Sequence, residues 1–421
     1  MIKDICNNRK IPIALISLLP IGLLISSGVS ELLSILIVAF YAAHIILNKN
    51  YSITNNVYFR LLFLLWVYLI LNSLVSENYK INEYSFRSLG FIKYILLIFA
   101  FQHYINKSKI LESILLFWVF IVTVVCFDIF FEYFSGKNVL GFESMHPSRI
   151  ISFLRTEHKI GHFLLGFSFL SSGYLFYKSK DKSFIFLLFC YLFLTIAIIS
   201  IYLTGERSNT IRSFFCLLIF FIFSNKKILK HKNLFFIITI ISILLISISS
   251  ERIKNRFAGQ ILNPIKDEGI VKAFKNSEYG VLYYTAFSIF KSYPILGVGN
   301  KNFRNECQKE KYYNSEFKYS NNKCNTHPHQ IYLELLSEHG LVGTIIFIFI
   351  ILFIVLKNIK IYLKQNNLLH LVSILFVLQT FLPLIPSGSF FVSWTATIFW
   401  INFSIMILLS NNRLGFSKII K

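Results

Sequence analysis

The sequence predicts an all-α polytopic membrane protein with about twelve transmembrane helices and one large, partly helical loop before the tenth. The 421 residues are 55% hydrophobic and 17% aromatic, and the mean hydropathy of +0.62 is too high for a soluble domain. Apolar stretches of the roughly 20 residues that a membrane-spanning helix needs recur almost from end to end. Only one polar stretch, residues 251–340, is long enough to form more than a connection.

The apolar stretches predict twelve spans. These are residues 11–28, 29–47, 58–76, 88–105, 110–133, 161–178, 183–203, 209–224, 233–250, 341–358, 367–386 and 390–410. The first is followed at once by another span and has no small-residue cleavage site, so we expect it to be retained as a helix. The chain then divides into residues 1–250 with spans one to nine, the loop 251–340, and residues 341–421 with the last three spans and a tail.

Basic residues in short loops predict the orientation, because Lys and Arg resist translocation. They precede the first span and recur on alternate loops, as Lys3, Arg9, Lys10, Lys107, Lys109, Lys178, Lys180, Lys182, Lys226, Lys227, Lys230, Lys232, Lys357, Lys360 and Lys364. We therefore expect cytoplasmic termini, with loops 134–160, 204–208, 251–340 and 387–389 on the outer face. This anchoring explains most of the net charge of +22, so no nucleic-acid partner is indicated.

Two of the six cysteines, Cys307 and Cys324, lie in the long outer loop, and the other four lie in or beside spans. An oxidising compartment outside the cytoplasm permits a disulfide there. We expect these two to pair, which would contribute roughly 3 kcal/mol in the chain-entropy model. The alternative is two free thiols.

The long loop carries a structured pattern that a passive connection does not need. In chain order we predict a basic entry (Arg252, Lys254, Arg256), a polar turn region from Asn263 to Lys275, an apolar helix at 280–292, a glycine turn (Pro294, Gly297, Gly299) and a helix at 328–339 that continues into the tenth span.

The His327-Pro328-His329 triplet is the most distinctive feature of this loop. Pro328 suits a first helical turn, and Thr326 or Asn325 suits the cap. His329 would then lie at the positive end of the helix dipole, which favours a neutral ring able to accept a proton. The pattern therefore favours His329 as a general base.

Two other interpretations of the histidines stay open. His327 and His329 would serve equally as capping or interface residues. With Glu334 or His339 they would also offer metal ligands, although the spacing matches no standard zinc pattern.

Arg207 lies in a tight outward turn, Thr204 to Thr210, on the side that the positive-inside rule disfavours for a basic residue. A guanidinium presented with Ser208 and Asn209 suits a phosphate or pyrophosphate at the membrane surface. A snorkelling anchor is the alternative. Further outer-face cations that could contribute are Arg149, Arg252, Arg256, Lys301 and Arg304.

Taken together, three motifs resemble the O-antigen ligase family, membrane glycosyltransferases that share a domain with O-antigen polymerases. They are the Gly-x-Arg-Ser turn at Arg207, the Pro294-x-x-Gly297-x-Gly299-x-x-x-Phe303 turn, and the run from His327 through Glu338, Gly340 and Gly343. The resemblance covers the whole topology.

The resemblance implies a multi-pass protein of the bacterial inner membrane whose active site faces the periplasm. It implies transfer of a glycan from an undecaprenyl-diphosphate carrier to an acceptor hydroxyl, usually on lipid A core, with no metal, nucleotide sugar or other cofactor. The donor, the acceptor and membrane lipid would be the partners. His329 corresponds to the proposed base, His327 to a supporting residue and Arg207 to a diphosphate ligand.

The chain departs from the family pattern before the loop helix. Members often carry a further basic residue or histidine where this sequence reads Asn276 to Gly280. The second diphosphate contact is therefore unassigned, with Arg149, Arg252, Arg256 and Arg304 as substitutes.

A polymerase of the same superfamily and a transporter are the other candidate functions. A polymerase would use the same diphosphate contacts. A transporter would place ionisable residues inside spans, and Asp128 and His370 are the better candidates for that role.

Overall fold

The computed structural model describes residues 8–75, 85–180, 182–224 and 229–410, and within these ranges it is helical with no β-strand. The predictions for Lys3, Cys6, Lys226 and Lys227 lie outside the described residues. The longer helices are α1 (Lys10–Ile25), α2 (Ser27–Leu47), α3 (Val57–Val75), α4 (Ile92–Tyr104), α5 (Ser108–Ser135), α6 (Ile160–Ser179), α7 (Phe184–Leu203), α8 (Arg207–Phe223), α9 (Lys232–Ser249), α10 (Glu278–Ser292), α11 (Ile331–Gln365), α12 (Leu368–Thr380) and α13 (Ser393–Ser410).

Each predicted span overlaps a helix, so the all-α prediction is confirmed. A short helix, Ser85–Gly90, precedes α4 in the fourth span. Seven of the described helices, α2, α3, α5, α7, α9, α11 and α13, are long and apolar enough to cross a membrane. The chain is thus a multi-pass helical membrane protein, and the count of twelve spans stays a prediction.

The eleventh span was predicted too long. Residues 367–386 were expected to be helical, but α12 ends at Thr380. Residues 382–392 form turns and extended backbone, although Phe, Leu and Ile make them look like part of a span. Pro383 and Pro386 explain the early end, because proline lacks the N–H that a helix interior requires. The segment packs beside the loop instead.

Side-chain exposure follows the pattern of a protein dissolved in lipid. The bundle interior is filled by large side chains such as Trp118, Phe167 and Trp400, which are fully buried. Outward faces expose large apolar residues such as Phe127 and Ile248. A water-soluble surface would not tolerate this number of exposed apolar side chains, whereas hydrocarbon does.

The basic loops meet at one end of the bundle. Lys178, at the end of α6, forms a 2.6 Å ion pair with Glu112 at the start of α5. The Tyr191 hydroxyl donates to the Lys230 carbonyl at 2.9 Å, and Tyr362 donates to a carbonyl at the end of α8. The loops that carry the basic residues therefore lie together at one end of the bundle, as the sequence predicts.

The first part of the long loop folds as a series of short helices, and α10 follows them. Glu251–Lys254, a π-helical segment Asn255–Leu262, Asn263–Glu268 and Ile270–Lys275 follow one another. The polar turn region predicted over 263–275 is therefore wrong, because Pro264 occupies a first helical turn where its missing N–H costs nothing. Further on, a disulfide joins Cys307 and Cys324, whose Cα atoms are 5.1 Å apart.

Helix α11 carries the loop into the membrane bundle through a kink at Gly340, where φ is +61° and ψ is −164°. The domain boundary predicted at residue 340 falls at this kink. An interrupted helix leaves backbone groups without partners, and the glycine turn of the loop supplies them. Four hydrogen bonds make the connection: Val298 N to Ser337 O (3.0 Å), Gly299 N to Glu338 O (2.8 Å), Leu341 N to Pro294 O (2.8 Å) and Val342 N to Ile295 O (3.2 Å).

Glycine is required on both sides of this junction. A Cβ on Gly340 would lie 2.3 Å from the Ile295 carbonyl oxygen, and one on Gly297 would lie 2.4 Å from the Glu338 carbonyl carbon. Both residues also have positive φ. The two glycine motifs of the sequence therefore describe one backbone junction.

Replacing Gly340 by Ala is expected to lower the free energy of unfolding by roughly 2–4 kcal/mol, since the added Cβ meets backbone and the conformation is strained. Thermal unfolding of the purified protein in detergent measures this. Gly28→Ala is the matched control, because that glycine lies in α2 with no close backbone neighbour and should change stability little. Equal stability of both variants would contradict the role of the junction.

Candidate active site

A cavity of about 940 Å³ lies at the end of the bundle opposite the basic loops, and all four predicted outer loops contribute to its wall. Arg149 comes from loop 134–160, Arg207 is the first residue of α8, Arg256 and His329 come from the long loop, and Ser387 comes from the segment before α13. The structure thus brings together loops that are far apart in sequence.

Three of the predicted cations line the cavity: Arg149, Arg207 and Arg256. Each donates to a backbone carbonyl: Arg149 Nη2 to His158, Arg207 Nη1 to Gln260 at 3.5 Å, and Arg256 Nε to Gly205 at 2.9 Å. Carbonyl acceptors fix the guanidinium groups without neutralising them, so the wall keeps a positive charge.

Burial lowers the pKa of Arg256 to about 10, and the neighbouring positive charges of Arg207 and Arg149 add to the effect. The guanidinium is still charged at neutral pH. That Arg207 and Arg149 both act on Arg256, and that all three line one cavity, indicates that the three cations can act on one anion.

Two other predicted cations are not among the residues lining the cavity. Arg252 donates to the Arg149 carbonyl at 2.9 Å and lies over the Tyr133 ring at 5.6 Å. Arg304 donates to the Thr326 carbonyl at 3.3 Å. Both support neighbours of the cavity wall rather than forming it. The predicted cation Lys301 is fully buried behind the wall.

The turn Thr204 to Glu206 organises the cationic wall. Gly205 has φ +69°, and a Cβ there would lie 2.3 Å from the Ser148 carbonyl oxygen, so the 134–160 loop packs directly on the turn. The Ile150 amide donates to the Thr204 carbonyl at 3.2 Å. This contact places Arg149 beside Arg207.

Glu206 links the start of α6 to the start of α8. One carboxylate oxygen accepts the Gly161 amide at the start of α6 and the other accepts the Asn209 side chain in α8, both at 2.6 Å. Burial raises the pKa of Glu206 to about 7, and the Gly161 hydrogen bond opposes that rise. Glu206 was not predicted, since a single carboxylate in a turn carries no recognisable pattern.

His329 lines the cavity, but the helix start that was predicted around it is wrong. Helix α11 begins at Ile331, and the N-cap is Gln330, whose side chain accepts from the Leu333 amide at 2.8 Å. Pro328 therefore lies outside the helix. His329 adopts a left-handed conformation with φ +57°, which ends the extended approach of the loop and turns the chain into α11.

The two histidines lie against each other with ring centroids 4.1 Å apart. Burial lowers the pKa of His329 and lowers that of His327 further, where the neighbouring His329 adds to the effect. Both rings are thus neutral at pH 7. His327 is nearly buried and contacts the Thr326 hydroxyl through Nδ1 at 3.0 Å. The His329 ring lines the cavity, and a hydrogen bond to the Ser387 backbone opposes the lowering of its pKa. Because an imidazole has two nitrogens, one bonded nitrogen leaves the other to accept a proton.

The segment before α13 holds His329 in place. The Ser387 amide donates to the His329 carbonyl at 2.7 Å. Two residues on, the Ser389 hydroxyl and the Phe390 amide donate to the Glu334 carboxylate in the first turn of α11. The backbone at His329 is therefore fixed from two sides.

A buried ion pair supports this arrangement. Lys301 Nζ lies 3.5 Å from a Glu334 oxygen, with both side chains almost fully buried, and also bonds to Ser389. The Lys301 amide donates to Glu338 at 2.8 Å. His339, the other ligand considered for a metal, contacts Asn72 through Nδ1 at 2.9 Å, so Glu334 and His339 are both engaged elsewhere.

The sequence reasoning missed several residues of the cavity wall, and these are His158, Lys159, His162 and Arg212, whereas Asn209, which it named beside Arg207, lies on the wall. Arg212 carried a usable signal, because an arginine inside an apolar span marks a functional site by default. The others gave none, since a histidine or lysine at a span end is common.

Fold and cavity together define a multi-pass helical membrane protein with a cationic, histidine-bearing site at one end. The O-antigen ligase family model matches residues 191–348, from α7 through the turn Thr204 to Glu206 and the long loop into α11. A search of curated proteins finds no match. The resemblance drawn from the motifs is confirmed for residues 191–348, which match the domain of this family, and members of the family are glycosyltransferases.

Removal of the Glu206 carboxylate is expected to destabilise the protein. Glu206→Ala leaves the Gly161 amide and the Asn209 side chain without acceptors, at a cost of roughly 1–3 kcal/mol in the free energy of unfolding. Glu206→Gln is the matched control, because rotation of the Asn209 amide restores both contacts. Thermal unfolding in detergent compares the two, and an Ala variant as stable as the Gln variant would refute the capping role.

Proposed function

We propose that the protein is an O-antigen ligase-like glycosyltransferase that moves a glycan from undecaprenyl diphosphate to an acceptor hydroxyl at the periplasmic face of the inner membrane. The acceptor would be lipid A core or another glycan. The observation that carries the proposal is the meeting of Arg149, Arg207 and Arg256 with His329 at one cavity, in a chain whose residues 191–348 match the ligase family.

The cationic wall suits the donor diphosphate. Arginine matches phosphate oxygens through paired N–H donors, and none of the three guanidinium groups forms a salt bridge with a carboxylate of the described residues. Arg256 and Arg149 supply the second contact that the sequence left unassigned. Since the chain itself provides the positive charge, we propose that transfer requires no divalent metal.

His329 suits the proton acceptor. In the proposed step the acceptor oxygen forms a bond to the anomeric carbon while the bond from that carbon to the diphosphate oxygen breaks. The hydroxyl proton passes to His329, and the leaving diphosphate takes the electron pair and is stabilised by the arginines. A ring that is neutral at pH 7 and has an unengaged nitrogen meets this requirement.

The membrane orientation supports the same proposal. Carrier-linked donor and lipid acceptor both lie in the bilayer, and the cavity lies where α6 and α8 begin, at the predicted outer surface. The opposite end carries the basic loops that the positive-inside rule assigns to the cytoplasm.

The first test is a transfer assay with purified protein, undecaprenyl-diphosphate glycan, lipid A core and EDTA. Wild type is expected to form product, and His329→Ala is expected to lose at least about 100-fold in rate, as general-base loss predicts. His146→Ala is the control, because His146 is an outer-loop histidine that does not line the cavity, and it should stay active.

Three outcomes of that assay would change the assignment. Near-normal activity of His329→Ala would remove its role as base. Lengthening of the carrier-bound glycan without lipid A product would establish the polymerase function instead. A strict requirement for added metal would contradict the metal-independent mechanism.

Arg207→Lys is expected to lower kcat/KM for the donor by roughly 10- to 100-fold, since a point charge cannot reproduce a two-pronged phosphate contact. The control is Arg155→Lys, an exposed outer-loop arginine that lies over the Phe142 ring and not on the cavity. Similar donor kinetics for the two variants would exclude the diphosphate role of Arg207.

A further inference from the structure

Arg212 is a buried arginine inside the membrane bundle. It lies five residues beyond Arg207 on α8, about 7.5 Å further along the helix axis. Only 3% of the residue is exposed, yet it lines the cavity. It therefore reaches the cavity from a deeper level than the three arginines described above.

No described residue neutralises this guanidinium. Its Nε and Nη2 atoms are buried without a hydrogen-bond partner, and no salt bridge within the described ranges involves it. This differs from Arg149, Arg207 and Arg256, each of which donates to a carbonyl oxygen.

The nearby ionisable groups form no ion pair with Arg212 within the described ranges. Both oxygens of Glu206, at the start of the same helix, are already bonded to Gly161 and Asn209. The ionisable side chains that act on Arg212 from α10 and from its own helix are Tyr283 and Cys216, which are neutral at pH 7. His162 adds a second buried nitrogen, Nε2, that has no partner.

A buried, unpaired charge disfavours folding, and an ionisable residue inside a span is retained where it serves a ligand or a transport path. We infer that Arg212 binds a phosphate oxyanion, namely the phosphate attached directly to the prenyl chain of the carrier. This inference rests on the proposed function for the identity of the carrier. Depth selects this phosphate, because the prenyl-linked group is the anionic part of the donor that lies nearest the hydrocarbon.

The experiment compares the binding of two carriers, undecaprenyl monophosphate and undecaprenyl diphosphate, to purified protein in nanodiscs. The monophosphate has only the prenyl-linked phosphate. Arg212→Met should weaken both ligands by about 10- to 100-fold, the effect of losing a charged hydrogen bond. Arg207→Met should weaken the diphosphate far more than the monophosphate, because its partner is the outer phosphate.

Thermal stability without ligand separates a ligand contact from a structural role. Arg212→Met should be as stable as wild type or more stable, since an unpaired buried charge is removed. Arg212→Lys, which keeps the charge without the planar fork, should bind both carriers with intermediate affinity. A substantial loss of ligand-free stability in Arg212→Met would overturn the inference in favour of a structural arginine.

The remaining outcomes are distinct. Unchanged binding of both carriers by Arg212→Met overturns the inference, as does a loss confined to a glycan-bearing donor, which would assign Arg212 to an acidic sugar. Wild type that binds neither carrier refutes the proposed function itself. Wild type that binds both carriers but transfers no glycan refutes the function while leaving the Arg212 contact testable by the same variants.

Discussion

The interruption of α11 at Gly340 is the constraint on which the outer end of the protein depends. Backbone N–H and C=O groups inside a membrane protein need partners, and residues 294–299 provide them at the kink. The loop is thereby fixed to the bundle by main-chain hydrogen bonds, and the Asn72 side chain in α3 adds a hydrogen bond to the Leu296 carbonyl. Helix α11 can then continue out of the membrane at a defined angle, with Gln330 and His329 at its start.

The contacts of α11 in turn fix the residues of the cavity. Glu334, one turn into α11, accepts hydrogen bonds from the segment before α13, and that segment returns a hydrogen bond to His329. Lys301, next to the glycine turn, forms an ion pair with Glu334. A buried ion pair is weak evidence for stability, because desolvation offsets its attraction. The effect of this ion pair is to restrict His329 to a single position.

The sequence predicted which segments are helical, and which loops meet at the cavity, better than it predicted where individual helices begin and end. The length of the apolar stretches located every helix of the bundle. The alternation of basic and non-basic loops correctly grouped the loops that meet at the cavity. The helix start at His327 to His329 was wrong because Pro328 and Thr326 satisfy the local rules for a cap as well as Gln330 does. Tertiary contacts with Ser387 decide between them, and nothing in a single sequence reports such a contact. The span end predicted at residue 386 was wrong for a different reason: apolar residues packed on a loop look like apolar residues in lipid, although Pro383 and Pro386 mark the end of the helix in the sequence itself.

The arginines show a second limit of sequence reasoning. Arg252 and Arg256 lie one helical turn apart and share the same pattern, yet only Arg256 lines the cavity. What separates them is the position of Gly205, whose carbonyl accepts from Arg256 while its missing Cβ admits the backbone of Ser148. Arg149 reaches the site through that same contact, from a segment outside the 191–348 family match. The cationic wall is therefore a property of the assembled bundle, and the matched segment by itself would lack both Arg149 and the Ser387 contact that holds His329.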